Sequence, residues 1–419
     1  MTQANKIRLD LILIFLFPIG IVVGPAVAEI FILFFLIYIL NIHKKLFDYL
    51  GENIIKSVII FFSLIIIFNL IKYFLSNFEN LNSLLKGISY SRFLIIIFFF
   101  LLFLVDDKRL KFFFQSLCCV ILFLVIDINI QNYFGNDLFG FPKSANGRLS
   151  GPFNDEFIVG GVVFKFLVML NICFEIIFKK KTNSKFFLLN IINLICFVSI
   201  LLSKERSTII LSSFYIIWIY FFSKNINLKY KLAFFSIIGI ILITFISFDK
   251  NLSKRFNESY VLIKNLTLNK NSNNVIGYYS HFYAALEIFK DNKILGSGIK
   301  RYKFDCKQYQ NIDTHLKNKF TKNLNEIQKL TFNKNICTTH PHYYLLEILA
   351  ETGFIIFLFY LFLIFYLLSK SFTTFFPIIF TIFIPIVPTG SFFNNFNSFF
   401  IWIVFSLLLI YLRKKNEKS

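Results

Sequence analysis

Apolar residues in this chain come in long unbroken runs, not in the alternating or one-faced stripes of strands and amphipathic helices. The runs lie at roughly 9–23, 26–42, 54–75, 92–105, 112–130, 153–178, 186–202, 207–223, 232–248, 344–369, 372–388 and 396–412. Most approach or exceed the ~18–20 residues that carry a helix across a bilayer. No water-soluble core encloses so many helices that are apolar all round, so lipid is the solvent, and a spanning segment in lipid must satisfy its own backbone as a helix. The pattern predicts an all-α polytopic membrane protein with about twelve transmembrane helices. One long polar stretch interrupts it. The expected division is residues 1–248 for the first nine spans, 249–342 for a large, mostly helical loop, and 343–419 for the last three spans and a tail. Lys6 and Arg8 before the first run resemble a signal peptide, but no small-x-small cleavage site follows and Gly24-Pro25 leads into another apolar run. The first run therefore reads as an uncleaved span.

Charge fixes the expected sides. The net charge of +21 and the 61 Phe residues look partly like the coding bias of an AT-rich genome, so position informs more than number. With the N-terminus in the cytoplasm, the inside connections carry Lys44-Lys45, Lys108-Arg109, Lys179-Lys180-Lys181, Lys224 through Lys231, Lys370 and Arg413-Lys414-Lys415. That is the positive-inside arrangement. Merging the first two spans would put all of these outside. Both termini are then cytoplasmic and the loop at 249–342 is periplasmic. The loop holds 16 Lys/Arg against 7 Asp/Glu. Loops this long translocate regardless of charge. Genome bias with attraction to anionic head groups explains the surplus, as does an anionic substrate such as a phosphate-bearing lipid. No nucleic-acid partner is expected.

Polar chemistry concentrates in and around that loop. Four of the five His residues, His281, His315, His340 and His342, lie in it or at its exit. The exit reads CTTHPHYYLLEILAETGF from Cys337 to Phe354. Thr338 and Thr339 are N-cap formers and Pro341 suits a first helical position, so His342 is expected in the first turn of a helix at the membrane surface. The positive helix end there disfavours imidazolium and can hold an anion. A neutral base beside an anion site suits group transfer from a phosphorylated donor. The plainer reading is that His340 and His342 only cap a helix. A zinc site of Cys337, His340 and His342 matches no standard spacing. Cys118, Cys119, Cys173 and Cys196 lie in apolar runs and read as small buried hydrophobes. Cys306 and Cys337 lie in the loop, where an oxidising compartment would join them and a reducing one would leave two thiols.

Other polar connections carry isolated cations. NGRLSGPFNDEF, before the sixth span, contains Arg148. SKERST, a tight turn between the seventh and eighth spans, contains Lys204 and Arg206. Arg side chains fit bidentate phosphate contacts, and they also snorkel to lipid head groups. Residues 274–304 begin as an amphipathic helix with Ala284, Ala285, Ile288 and Phe289 on one face and break at Asn292 and Gly296-Ser297-Gly298. That glycine pair reads as a structural turn before it reads as a phosphate loop. Arg301 follows it. Glu29, Asn69, Lys72, Asp127, Lys165 and Glu175 lie inside apolar runs, where polar side chains are expensive and mark function. Lys72 and Glu175 are near span ends and are expected to snorkel; Lys165, nearer mid-span, is the stronger functional candidate.

RLSGPFNDE, LLSKERSTII and ILGSGIKRYKF…THPHYYLLEILAETGF together resemble the O-antigen ligase/polymerase family of bacterial membrane glycosyltransferases, over roughly residues 140–370. The His-to-Gly segment is the most specific part. The resemblance implies a multi-pass protein of the bacterial inner membrane. It would move a glycan, on the periplasmic face, from undecaprenyl pyrophosphate to an acceptor: lipid A–core for a ligase, another repeat unit for a polymerase. It implies no cofactor and an inverting, metal-independent transfer. The family's loop His and the Gly eleven residues on fall on His342 and Gly353, and the Arg after the seventh span falls on Arg206. His342 and Arg206 are then the catalytic candidates, with Arg148, Arg301, His340 and Lys204 binding substrate and Gly353, Cys306 and Cys337 structural. Ligases usually have Asn, Ser or Gln where this chain has Tyr343, and a small residue where it has Ile356. A transporter of lipid-linked sugar is the rival from another class.

Overall fold

Each apolar run becomes a helix in the computed structural model, which describes residues 3–40, 52–78, 80–178, 183–222, 228–257, 273–309 and 337–416. Among these residues no β-strand forms. Lys44, Lys45, Lys179 to Lys181, Lys224, His315 and the middle of the polar loop lie outside the described residues. In chain order the helices are α1 (Gln3–Val23), α2 (Pro25–Leu40), α3 (Asn53–Leu75), α4 (Leu81–Tyr90), α5 (Phe93–Phe103), α6 (Asp107–Phe134), α7 (Val159–Ile177), α8 (Asn183–Ser203), α9 (Arg206–Phe222) and α10 (Leu228–Phe248). Then follow α11 (Asn273–Asp291) and α12 (Tyr302–Asp305) in the polar loop, α13 (Tyr344–Lys370), α14 (Phe372–Ile378) and α15 (Asn395–Asn416). Among the described residues seven helical stretches, counting α4–α5 as one, are long and apolar enough to cross a membrane, and five shorter apolar helices accompany them.

Two boundaries differ from the expected ones. The fourth span begins at Leu81, not 92, because α4 and α5 run on through a tight turn at Ser91-Arg92. The eleventh stops short of 388. After α14 a π-turn covers Ile379–Phe383, and the chain is irregular until α15. Pro385 and Pro388 supply no amide for a helix there. Irregular backbone at membrane depth is tolerated only where protein or a watery cavity surrounds it, and residues 391–393 are buried.

Of the seven long stretches α7 and α15 are the most enclosed and α10 the least. Trp402 on α15 packs among Phe61, Phe62, Phe392 and Phe405 and donates its indole N–H to the Tyr90 hydroxyl at 3.1 Å. The outer faces keep large apolar side chains uncovered, among them Leu33, Phe74, Leu122, Phe187, Ile243 and Phe248, as lipid contact requires.

Ion pairs mark one end of the bundle. Arg109 at the start of α6 pairs with buried Asp10 of α1 at 2.6 Å, and Lys414 at the end of α15 pairs with Asp107. The start of α1, the start of α6 and the end of α15 therefore share an end, the relation the charge pattern predicts. α6 is 28 residues long, about 42 Å at 1.5 Å per residue. Its far end, with the starts of α7 and α15, forms the opposite end of the bundle.

The polar residues within the apolar runs hold that opposite end together. Asp127 accepts the Leu138 amide at 2.9 Å and so folds the loop after α6. Glu29 pairs with Arg92 at 2.6 Å. Asn69 accepts the Ser83 hydroxyl at 2.8 Å and the Ile299 amide at 3.3 Å. Lys72 does not snorkel outward: it donates to Asn292 Oδ1 at 2.6 Å and to the Gly296 carbonyl. The polar loop is thus seated on the spans.

Candidate active site

The site grows from a break in α13. Gly353 has φ 78, ψ 177 inside the helix, a conformation essentially limited to glycine. The break frees backbone groups, and the Gly296-Ser297-Gly298 turn takes them. Ser297 N–H donates to the Ala350 carbonyl, Gly298 N–H to the Glu351 carbonyl, and Phe354 N–H to the Lys293 carbonyl, each at 2.8 Å. The two backbones touch so closely that a Cβ on Gly296 would lie 2.5 Å from the Gly353 nitrogen. The glycine turn is therefore a structural clasp, not a phosphate loop. Glu351 completes it by accepting the amides of Lys300 at 2.7 Å and Tyr302 at 3.2 Å. Glu347, one turn earlier, accepts the Ser391 hydroxyl at 2.5 Å and the Phe392 amide at 2.6 Å, holding the irregular segment before α15.

The clasp brings three histidines together. The His342 ring centroid is 4.2 Å from that of His340 and 5.3 Å from that of His281 on α11. His342 is not in a helical first turn. α13 starts at Tyr344 with Tyr343 as its uncapped N-cap, and His342 takes a left-handed φ of 56°. Thr338 and Thr339 bond histidines instead of capping the helix: Thr338 donates to the His340 carbonyl at 2.8 Å, and Thr339 Oγ1 meets His340 Nδ1 at 2.8 Å. Thr389 N–H fastens the His342 carbonyl at 2.9 Å. The expected bias of His342 away from imidazolium has another cause than a helix end. Burial pulls its imidazole below the ordinary range, opposed by a hydrogen bond to Thr389. Burial and the two neighbouring rings pull His340 down to about 3. Among the described residues the buried His340 Nε2 has no hydrogen-bond partner. The zinc reading fails because the Cys337 sulfur is bonded to Cys306.

A cationic turn occupies the same end of the bundle. Glu205, buried, accepts the Gly160 and Gly161 amides at the start of α7 at 2.8 and 3.1 Å, and the Thr208 hydroxyl at 3.0 Å. This pins the turn between α8 and α9. Flanking Glu205, Lys204 pairs with Asp249 at 2.5 Å and Arg206 donates to the Arg255 carbonyl at 2.7 Å. Arg255 returns a bond to the Lys204 carbonyl at 2.9 Å. Burial and Lys204 push the Lys143 ammonium below its usual range. Arg148 lies over the Phe157 ring at 4.8 Å, donates to its carbonyl at 3.0 Å, and acts electrostatically on Glu205. A cleft of about 510 Å³ opens beside the turn, lined by Lys204, Asp249, Lys250 and Asn251 and by Phe245 and Phe248 of α10.

The segment before α15 connects the two clusters. Thr389 holds His342, Ser391 holds Glu347, and the Ser391 carbonyl accepts from Asn397 at 2.9 Å. Asn397 accepts the Lys165 ammonium at 2.5 Å, and Lys165 lies within electrostatic reach of Glu205. Lys165 thus gains a place between the histidines and the cationic turn. Arg301 is engaged differently, by Asp305 at 3.0 Å. Glu205, Glu347, Glu351 and the 389–397 segment are absent from the sequence-based site. Their signals were a carboxylate in a tight turn, two carboxylates four apart in an apolar helix, and a proline-interrupted span.

Residues 191–361 match the family model described as O-antigen ligase. The match supports the O-antigen ligase/polymerase family for this chain, and it spans Arg206, His281, Arg301, His340, His342 and Gly353. A comparison with curated proteins finds no match.

Proposed function

We propose that this membrane protein is an O-antigen ligase-like glycosyltransferase. It moves a glycan from undecaprenyl pyrophosphate to an acceptor on the periplasmic face of the bacterial inner membrane, with both termini cytoplasmic. One observation carries the reading: the family match covers both the half-buried His342 and the Lys204–Arg206 turn, and residues 389–397 link the histidines, through Asn397 and Lys165, toward Glu205 in that turn. The Cys306–Cys337 disulfide supports an oxidising compartment at that end.

In this reading neutral His342 accepts the proton of an acceptor hydroxyl. The oxygen attacks the anomeric carbon, forming the new glycosidic bond as the bond to pyrophosphate breaks, with inversion. The electron pair leaves with the pyrophosphate, whose growing charge Arg206, Lys204 and Arg148 stabilise. Pyrophosphate is already a good leaving group, so the step as written uses no metal or nucleotide. The cleft along α10 has cations at its polar end and Phe245 and Phe248 beyond, which suits a phosphate on a polyprenyl tail. His340 and Arg301 flank the acceptor side. Lipid A–core as acceptor makes the protein a ligase; a second repeat unit makes it a polymerase, which the same family match favours equally.

The test is transfer by the full-length protein in nanodiscs, using lipid-linked glycan and acceptor extracted from the source membranes. His342→Ala is expected to slow transfer by about 10²–10⁴-fold. Near-normal transfer would remove His342 as the base.

A further inference from the structure

Cys306 and Cys337 are joined by a disulfide, with Cα atoms 5.3 Å apart and a sequence separation of 31. Cys306 is fully buried in a small second core with Tyr283, Ala284, Ile288, Tyr302 and Ala350, and Cys337 packs on its edge. This core stands directly behind the histidines. Tyr302, one helical turn before Cys306, donates its hydroxyl to the His281 carbonyl at 3.2 Å. Thr338, the residue after Cys337, donates to the His340 carbonyl at 2.8 Å and lies 3.5 Å from His281 Nδ1. One end of the crosslink therefore holds the helix that carries His281, and the other holds the segment that carries His340 and His342. That segment is irregular and includes a left-handed His342, a conformation that persists only where its surroundings over-determine it.

We propose that the Cys306–Cys337 disulfide is a positioning crosslink of the active site. It clamps residues 337–342 against α11, fixes His342 relative to His281, and makes activity depend on the oxidised form. This rests on the function proposed above. Two thiols lose two protons and two electrons, and a disulfide-donating oxidoreductase takes them up as its own dithiol. That oxidation must precede catalysis. Within the cluster His281 is buried and His340 and His342 are half-buried. Among the described residues His342 is faced by His281 from α11, His340 beside it, and Thr389 from the segment before α15; the nearest carboxylate along α13, Glu347, is engaged by Ser391 and Phe392. Opening the clamp exposes the rings further and returns His340 and His342 toward their ordinary range.

The experiment compares three forms of the full-length protein in nanodiscs: oxidised wild type, wild type reduced with a phosphine, and Cys306→Ser/Cys337→Ser. Alkylation and intact mass confirm the thiol state. The first readout is diethyl pyrocarbonate modification of His281, His340 and His342, followed by peptide mass spectrometry. Modification is expected to be several-fold faster in the reduced and double-variant forms; equal rates overturn the clamp whether or not the protein is a transferase. The second readout is transfer against pH. Because a 1 Å misplacement costs about 10²-fold, kcat is expected to fall about tenfold or more without the disulfide. The acid limb is expected to move up toward about 6.5, and reoxidation is expected to reverse both changes. An unchanged rate, or a lower amplitude with an unmoved acid limb, overturns the positioning role. Wild type that transfers nothing sinks the proposed function, while the first readout still decides the clamp. If the double variant fails to accumulate, the reduced wild type decides.

Discussion

Replacing Gly353 with alanine attacks the joint on which the site is built. The residue sits at φ 78, ψ 177, where a side chain adds about 1–3 kcal/mol of strain. The new Cβ would press into the Ile294 carbonyl and stand 2.6 Å from the Gly296 nitrogen. Both are backbone atoms, so the turn at 293–298 has to withdraw. Withdrawal breaks the three 2.8 Å bonds from Ser297, Gly298 and Phe354, each contributing about 0.5–1.5 kcal/mol. The whole loss is about 3–7 kcal/mol, a large part of the ~5–15 kcal/mol that holds a typical domain folded. Thermal unfolding of the detergent-solubilised full-length protein measures it. A drop of about 3–8 °C is expected for a chain of 419 residues, with lost transfer activity. Gly239→Ala is the control: nothing lies within 4 Å of its added Cβ on α10, so its midpoint should stay put or rise slightly. If Gly353→Ala melts with wild type and with Gly239→Ala, the clasp does not hold the site.

Glu205→Ala strips the Gly160 and Gly161 amides and the Thr208 hydroxyl of their shared acceptor. A loss of about 1–3 kcal/mol per stranded group follows, with weaker binding of the lipid-linked donor. Glu205→Gln, which keeps an acceptor oxygen, should lose less, and an unaffected alanine variant would reject the turn's role. His340 is held at about 3 in the folded protein, against about 6.5 unfolded. The unfolded chain therefore binds the proton first, so this contribution to stability is complete above about 6.5 and declines as pH falls toward 3. Denaturant unfolding at pH 7.5 and pH 5 should show wild type losing more than His340→Gln; equal losses refute the burial argument. Lys165→Met removes the donor to Asn397 and should raise the donor KM while leaving the helical content intact by circular dichroism.

The helices were legible because twelve apolar runs leave a chain in lipid little choice of structure. The His342–Gly353 spacing and the Lys204–Arg206 turn were legible through the family resemblance. What the sequence concealed was contact at a distance. Glu205 reads as one charge in a tight turn until Gly160 and Gly161, about 45 residues earlier, turn their amides to it. Glu347 and Glu351 read as costs in an apolar helix until the 300–302 and 391–392 backbones dock on them. The run at 372–388 reads as a short span, yet its helix ends early and the chain after it, residues 389–397, links the two clusters. The helix start was misplaced because Thr338, Thr339 and Pro341 carry real capping signals, and local capping was overridden by the disulfide and the histidine contacts.

The most direct test of the central claim is where lipid-linked glycan collects when the chain is deleted from its source cell and restored as wild type or His342→Ala. A periplasmic transferase predicts that undecaprenyl-pyrophosphate glycan builds up on the outer face in the deletion, clears with wild type and persists with His342→Ala. Accumulation on the cytoplasmic face, or clearance by His342→Ala as complete as by wild type, would contradict it.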